Sequence, residues 1–211
     1  MNSCIKALIL DADKVIFEKI SPIIIEELNR LTGLGAEQIN EKRKKYWQLV
    51  KTGKITDRQM WLGAKNLKGY EHGIFGELGI SQSNYAPFIE KIKASYRLNK
   101  GALRFIKHAK SKGIDLYLFS NSSRELIERP YKQFKLNTYF KYAFFSHKMG
   151  FAKPSPEAFA IVMNKIKICP QNALFIDDKE KNLLAAKELG FNTYLFKNSE
   201  DFPQILADYN I

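Results

Sequence analysis

Five short, nearly continuous apolar runs recur along the chain, at residues 5–10, 116–119, 142–145, 173–176 and 193–196, each bounded by polar residues. Unbroken rather than alternating apolar character predicts strands buried on both faces of a parallel sheet. From about residue 100 the runs alternate with helical patterns. Ala102, Phe105, Ile106 and Ala109 recur at i, i+3, i+4 and i+7, with Gly113 as a stop. Pro156 opens a second helix, and residues 182–189 form another that stops at Gly190. Helix–strand alternation of this kind predicts a doubly wound α/β sheet. The stretch 15–97 differs. Residues 23–31, 36–50, 57–66 and 85–96 all read as helices, punctuated by Gly33, Gly35, Gly53, Gly69 and Gly73, with no strand pattern between them. Thr56 and Gln59 have the spacing of a capping box. The expected organisation is an α/β core of residues 1–14 and 98–211, interrupted by an all-helical insertion of residues 15–97.

Composition narrows the class. The chain has 211 residues, enough for a sizeable core, and 45% hydrophobic with 13% aromatic content excludes a disordered chain. No apolar run approaches the ~18–20 residues of a membrane span, and the amino-terminal stretch lacks the form of a signal peptide. Cys4 and Cys169 have no metal-ligand spacing, so a reducing, cytoplasmic setting is the expectation. The net charge of +12 is divided about evenly between residues 14–98 and the remainder. Its densest cluster is Lys42-Arg43-Lys44-Lys45. A solvated helix face is the first reading of such a run, a field for anionic small substrates the second, and nucleic-acid binding a distant third.

Ligands of open α/β sheets bind at the carboxyl ends of strands, and there the chemistry lies. The first run is followed by Asp11 and Asp13, the second by Ser120 and Asn121, the third by Lys153-Pro154 and the fourth by Asp177-Asp178. Two carboxylates two residues apart point the same way in extended chain. They can divide phosphoryl transfer between a nucleophile and a proton carrier. Clustered carboxylates repel and call for a cation, and an all-oxygen set with few protein ligands suits Mg²⁺. Ser120 and Lys153 would meet phosphoryl oxygens.

The ordered segments 7–16 (ALILDADKVI), 116–123 (LYLFSNSS), 151–159 (FAKPSPEAF) and 173–190 (ALFIDDKEKNLLAAKELG) resemble the haloacid dehalogenase-like hydrolase superfamily over nearly the whole chain. Residues 53–61 are similar to cap sequence of the group that contains sugar-phosphate phosphatases and the phosphatase domain of epoxide hydrolases. The resemblance implies a Rossmann-like core with a small helical cap. It implies a Mg²⁺-dependent hydrolase that removes phosphate from a small phosphomonoester, a sugar phosphate among the options, through an aspartyl phosphate. By position, Asp11 matches the nucleophile and a metal ligand. Asp13 matches the general acid/base, its backbone carbonyl also on the metal. Ser120, Asn121 and Lys153 match the phosphate-binding groups. Asp178 matches a direct metal ligand, supported by Asp177. The dehalogenase branch lacks the second aspartate, so Asp13 favours phosphate chemistry. A phosphomutase of the same family and a catalytically silent binding protein are the competing readings.

One position departs from the pattern. The family's first motif continues with glycine after its second aspartate, where this chain has Lys14. Glycine tolerates positive φ there and lysine does not without cost. Lys14 would either face an anionic substrate or pair with Asp13. Trp47, Trp61, Tyr46 and Tyr70 read first as packed interior and second as pocket lining. His72, His108 and His147 have no ligand spacing and receive no role.

Overall fold

The computed structural model of the protein describes residues 4–211. Five strands form one wholly parallel sheet: β1 (Ala7–Leu10), β2 (Asp115–Ser120), β3 (Tyr142–Phe145), β4 (Ala173–Asp177) and β5 (Asn192–Leu195). Their spatial order is β3-β2-β1-β4-β5. Central β1 is fully buried, which is why its sequence is apolar at every position.

Alternate residues of β1 serve different layers. Ala7 and Ile9 pack with Phe159 and Val162 of one helix (Pro156–Ile166) and Ala186 of another (Glu180–Glu188). Leu8 and Leu10 join the cluster containing Phe105 and Ile106 of helix Ala102–Ser111 and Phe202 and Ile205 of helix Asp201–Asp208. Helices on both faces of a parallel sheet make the doubly wound α/β, Rossmann-like fold. Strand order reverses at β1, so the crevice such a reversal leaves opens at the carboxyl ends of β1, β2 and β4.

Between β1 and residue 101 the described residues contain helices and isolated bridges but no strand. In chain order the helices are α1 (Ser21–Thr32), α2 (Ala36–Lys51), α3 (Asp57–Leu62), α4 (Gly73–Glu77) and α5 (Tyr85–Ala94). The remaining helices are α6 (Ala102–Ser111), α7 (Arg124–Gln133), α8 (Ser146–Met149), α9 (Pro156–Ile166), α10 (Glu180–Glu188) and α11 (Asp201–Asp208). Two details depart from the sequence pattern. Helix α3 stops at Leu62 rather than continuing to residue 66, because Gly63 turns the chain at φ 107°. Helix α4 went unread because it is short and begins at a glycine taken as punctuation.

The capping box forms: the Thr56 hydroxyl accepts the Gln59 N–H at 3.2 Å, and Gln59 Oε1 accepts the Thr56 N–H at 2.8 Å. Tyr46, Trp61, Phe75 and Phe88 bury inside this segment in the same cluster as the α6 face of the sheet. The two regions therefore share one core. Gly53 sits at φ 72°, and a Cβ there would collide with the His147 backbone carbonyl, so the helical segment meets α8 with no room for a side chain.

The chain leaves the sheet through residues 12–17 and returns at residue 99, where the two crossings are joined. Asn99 donates its side-chain amide to the carbonyls of Lys14 and Val15, and its backbone N–H to the Ile16 carbonyl. This clamp holds Lys14 at φ 70°, in the left-handed region where a Cβ is strained by roughly 1–2 kcal/mol. Lys14→Gly removes that strain but loosens the unfolded chain by roughly 0.5–1 kcal/mol. The expected net is a gain of at most about 1.5 kcal/mol, whereas Lys14→Val, β-branched, loses more than about 1 kcal/mol. Urea unfolding of the two variants reads the difference, and a Gly variant less stable than the Val variant contradicts it.

Candidate active site

The strand ends deliver the sequence-predicted residues to one place. Asp11 follows β1 directly, Ser120 ends β2, Asp177 ends β4, and Lys153 lies in the loop between α8 and α9. All four are buried. The Lys153 ammonium donates to Asp11 Oδ1 at 2.7 Å, to Asp177 Oδ2 at 2.6 Å and to the Phe119 carbonyl at 2.6 Å. Its three protons are therefore all used. Burial opposes its charge, but the two carboxylates outweigh that and hold its pKa above the ordinary lysine value.

Asp11, Asp177 and Asp178 each present an oxygen within 4.8 Å of the others. They are not equivalent. Both oxygens of Asp177 accept from Asn182 Nδ2 at 3.0 Å, and Oδ1 also accepts the Lys179 N–H at 2.9 Å. With Lys153 as well, Asp177 is saturated. Asp178 Oδ1 is buried without any hydrogen-bond partner. An orphaned buried carboxylate oxygen beside two further carboxylates has the donor chemistry of a hard divalent cation site. Burial, with repulsion from Asp177 and against the pull of Lys153, lifts the Asp11 carboxyl to about 7.

Asp13 stands apart from this cluster. The strand ends at Leu10, so the extended geometry expected through residues 11–13 gives way to a turn. Its Oδ1 accepts the Ile20 N–H at 3.3 Å, at the entry to α1, while the residue still lines the cavity that Asp11 floors. Burial raises its pKa, which favours a carboxyl that carries a proton. Asn121 also lines the cavity, but its side chain is committed to Lys153: Nδ2 donates to the Lys153 carbonyl at 2.7 Å and Oδ1 accepts the Lys153 N–H at 2.9 Å. It fixes the backbone that carries the ammonium.

The cavity measures about 390 Å³ and lies between these strand ends and the helical segment. Phe17, Ile20, Ile24, Met60, Trp61 and Leu126 form much of its wall. Of the four aromatics singled out in the sequence, Trp47 and Trp61 reach it, whereas Tyr46 is buried with its hydroxyl on Glu77 at 2.6 Å and Tyr70 packs against its ring. Lys14 does neither thing expected of it: it does not line the cavity, and no ion pair joins it to Asp13. Three other cations line the cavity instead: Arg43 and Lys44 of α2, from the run read first as a solvated face and second as a field for anions, and Lys179, which sequence reasoning missed. Lys179 directly follows the Asp177-Asp178 pair, with its ammonium 3.7 Å from Asp178 Oδ1. His147 was also passed over. Its Nδ1 lies 2.9 Å from the Ser122 carbonyl, pinning the loop after β2.

A sequence model of the haloacid dehalogenase-like hydrolase family matches residues 5–190. Among curated relatives, the D-ribitol-5-phosphate phosphatase of Bacteroides thetaiotaomicron is 36% identical over 72 residues, 34% of this chain and 35% of that protein. Phosphoglycolate phosphatase 1 of Pseudomonas aeruginosa is 28% identical over 149 residues, 65% of this chain and 54% of that protein. The matched stretches thus span about a third to about half of those relatives' length. A solved HAD family enzyme from Bacteroides thetaiotaomicron, in complex with magnesium and inorganic phosphate, superposes with a TM-score of 0.77 at 26% identity, covering 95% of this chain and 98% of that one. No helix among the described residues is long and apolar enough to cross a membrane.

Proposed function

Since the chain belongs to the haloacid dehalogenase-like hydrolase family, we propose that it is a Mg²⁺-dependent hydrolase of a small phosphomonoester, working through a phosphoryl group carried on Asp11. The observation that carries this reading is the convergence of Asp11, Asp177 and Asp178, at the ends of β1 and β4, with Lys153 of the α8–α9 loop, one carboxylate oxygen being left orphaned. Asp11 and Asp178, with the backbone carbonyl of Asp13, would hold the ion, and saturated Asp177 supports them. Mg²⁺, when bound, offsets the clustered negative charge and polarises a phosphoryl oxygen.

A carboxylate oxygen of Asp11 attacks phosphorus, and the bond from phosphorus to the leaving oxygen breaks. Asp13 delivers its proton to that oxygen, and the alcohol departs. Asp13, now a carboxylate, takes a proton from water. The water oxygen attacks phosphorus, the bond to Asp11 breaks, and inorganic phosphate leaves. Ser120 and the N–H groups after β2 hold phosphoryl oxygens. Lys153, its protons engaged, contributes fixed positive charge at the place where negative charge develops, and Lys179 adds a second. Residues 15–97 act as a cap over the core of 1–14 and 98–211, excluding water while the first bond breaks.

The relatives named for ribitol 5-phosphate and phosphoglycolate hydrolysis support a small phosphorylated metabolite as substrate. Phosphate release from p-nitrophenyl phosphate tests the reading. Turnover is expected with Mg²⁺, is abolished by EDTA and returns on adding Mg²⁺ in excess. Turnover indifferent to EDTA contradicts it. Isomerised sugar phosphate without net phosphate release would favour a mutase.

A further inference from the structure

The cavity has a second charged end, on α2. Asn40, Arg43, Lys44 and Trp47 all line it, and their spacing of i, i+3, i+4 and i+7 makes one stripe of the helix. Ile39, Tyr46 and Val50 occupy the buried face of the same helix. The basic run is thereby divided. Lys42 and Lys45 turn to Glu77, which pairs with both, while Arg43 and Lys44 turn to the cavity.

Arg43 and Lys44 are the cavity's cations without an ion-pair partner among the described residues, and of the two Arg43 is half-buried while Lys44 is exposed. Lys153 is matched by Asp11 and Asp177, and Lys179 lies beside Asp178. Arg43 has no ion-pair partner among the described residues, and its hydrogen bond to Asn40 Oδ1, at 3.3 Å, stays within its own helix. Burial lowers its pKa to about 10, opposed by the field of Asp13. A half-buried guanidinium that faces a cavity without a counter-ion has lost part of its hydration and gained no opposite charge. An anionic ligand supplies the missing charge, and the guanidinium fork suits a carboxylate.

Much of the cavity wall is apolar. Ile20, Ile24, Met60 and the two tryptophans offer a hydroxyl-rich chain few partners: Trp61 Nε1 is a buried donor with no acceptor, and the unpartnered Ser122 and Ser123 hydroxyls belong to the loop after β2, where the phosphate is held. Burying several hydroxyls against such walls would leave them unpaired. An apolar or aromatic body loses nothing there.

We propose that the leaving half of the substrate carries a carboxylate, bound by Arg43, on an apolar or aromatic body that lodges against Trp47, Trp61 and Met60. The proposal refines the phosphomonoester reading of the same cavity and rests on it for the phosphate end. The substrate class is then the phosphate ester of a hydroxy acid with an apolar side chain, rather than a polyol phosphate.

Trp47 and Trp61 are the chain's two tryptophans, and both line the cavity, so intrinsic fluorescence reports occupancy without turnover or metal. The probes are 3-phenyllactate, 2-phenylethanol and ribitol, which match the dephosphorylated leaving group with and without each feature. Phenyllactate is expected to give a saturable change at least about tenfold tighter than phenylethanol or ribitol, as a charge-assisted pair of about 1.5–3 kcal/mol provides. That advantage collapses in Arg43→Gln and is partly kept in Arg43→Lys. Equal affinity for phenyllactate and phenylethanol, a preference for ribitol, or an unchanged preference in Arg43→Gln overturns the proposal. A parallel assay compares kcat/KM for 2-phospho-3-phenyllactate with that for 2-phenylethyl phosphate. The ratio is expected to exceed about ten and to fall toward one in Arg43→Gln; a ratio near one in the unaltered protein counts against the carboxylate. Selective fluorescence binding with no hydrolysis of any ester would sink the phosphatase reading and leave the Arg43 site standing.

Discussion

Asp11→Asn is expected to lower kcat by at least about 10⁴-fold in saturating Mg²⁺, because an amide does not open a covalent path through phosphorus. The folded protein should survive. Asparagine has the same shape, and Lys153 keeps Asp177 and the Phe119 carbonyl as partners at 2.6 Å each. One of three mutually repelling carboxylates, two of them buried, is also removed. The melting temperature is expected to move by only a few degrees, so lost turnover with retained circular dichroism separates chemistry from structure. A variant that keeps a tenth of the activity contradicts the assignment of Asp11.

Lys153→Met should do more damage to the fold than any other single change at the site. The Lys153 ammonium is the shared counter-ion of Asp11 and Asp177, and all three groups are buried. Methionine fills the stem's volume but leaves two interior carboxylates unpaired, a loss of about 3–5 kcal/mol. The pH dependence has a definite sign. Burial already raises Asp11 from 3.8 to about 7, and losing Lys153 raises it further. A carboxyl whose folded pKa is raised binds protons more readily when folded, so its folded state loses stability as pH climbs from the unfolded value through the folded one. The deficit of the variant should therefore be largest above about pH 7 and shrink toward pH 4. Mg²⁺ should restore more stability to the variant than to the unaltered protein, since it supplies the missing positive charge. Urea unfolding at several pH values, with and without Mg²⁺, checks both. A pH-independent deficit would mean that packing, not charge, was lost.

These expectations were legible in the sequence to different depths. The sheet was open to reading because strands covered on both faces, such as β1 and β4, have no polar side to interrupt the apolar run. Asp11, Ser120 and the Asp177-Asp178 pair were legible too, since they end or follow such runs, and Lys153 was legible as the lysine after the third run. Side-chain direction was not. The turn after Leu10 brings Asp13 Oδ1 onto the Ile20 N–H while leaving the residue in the same cavity as Asp11, and nothing local to residues 11–13 announces that contact. Lys14 shows the opposite case. Its missing glycine marked an unusual backbone from sequence alone, and the structure places it at φ 70°. Its side chain nevertheless plays neither anticipated part. Arg43 was hidden in a run of four cations, where charge density reads as solvation. Only the tertiary placement of Glu77 separates Lys42 and Lys45 from Arg43 and Lys44. The stripe of Asn40, Arg43, Lys44 and Trp47 was present as a helical repeat, but it mixes polar and aromatic residues that hydrophobic periodicity passes over. Asn121 and His147 act on backbone atoms of other loops, contacts that no local pattern encodes.

Acid-quenched mass spectrometry of peptides from protein mixed with Mg²⁺ and p-nitrophenyl phosphate reaches the chemistry itself. Asp13→Asn is the form to use, because it slows the arrival of water at phosphorus and lets the first product accumulate. One phosphoryl group is expected on the peptide that contains Asp11, absent from the Asp11→Asn protein and absent when EDTA is present. Phosphate release by the unaltered protein, with no phosphoryl group on that peptide or with one on a different residue, would contradict the account.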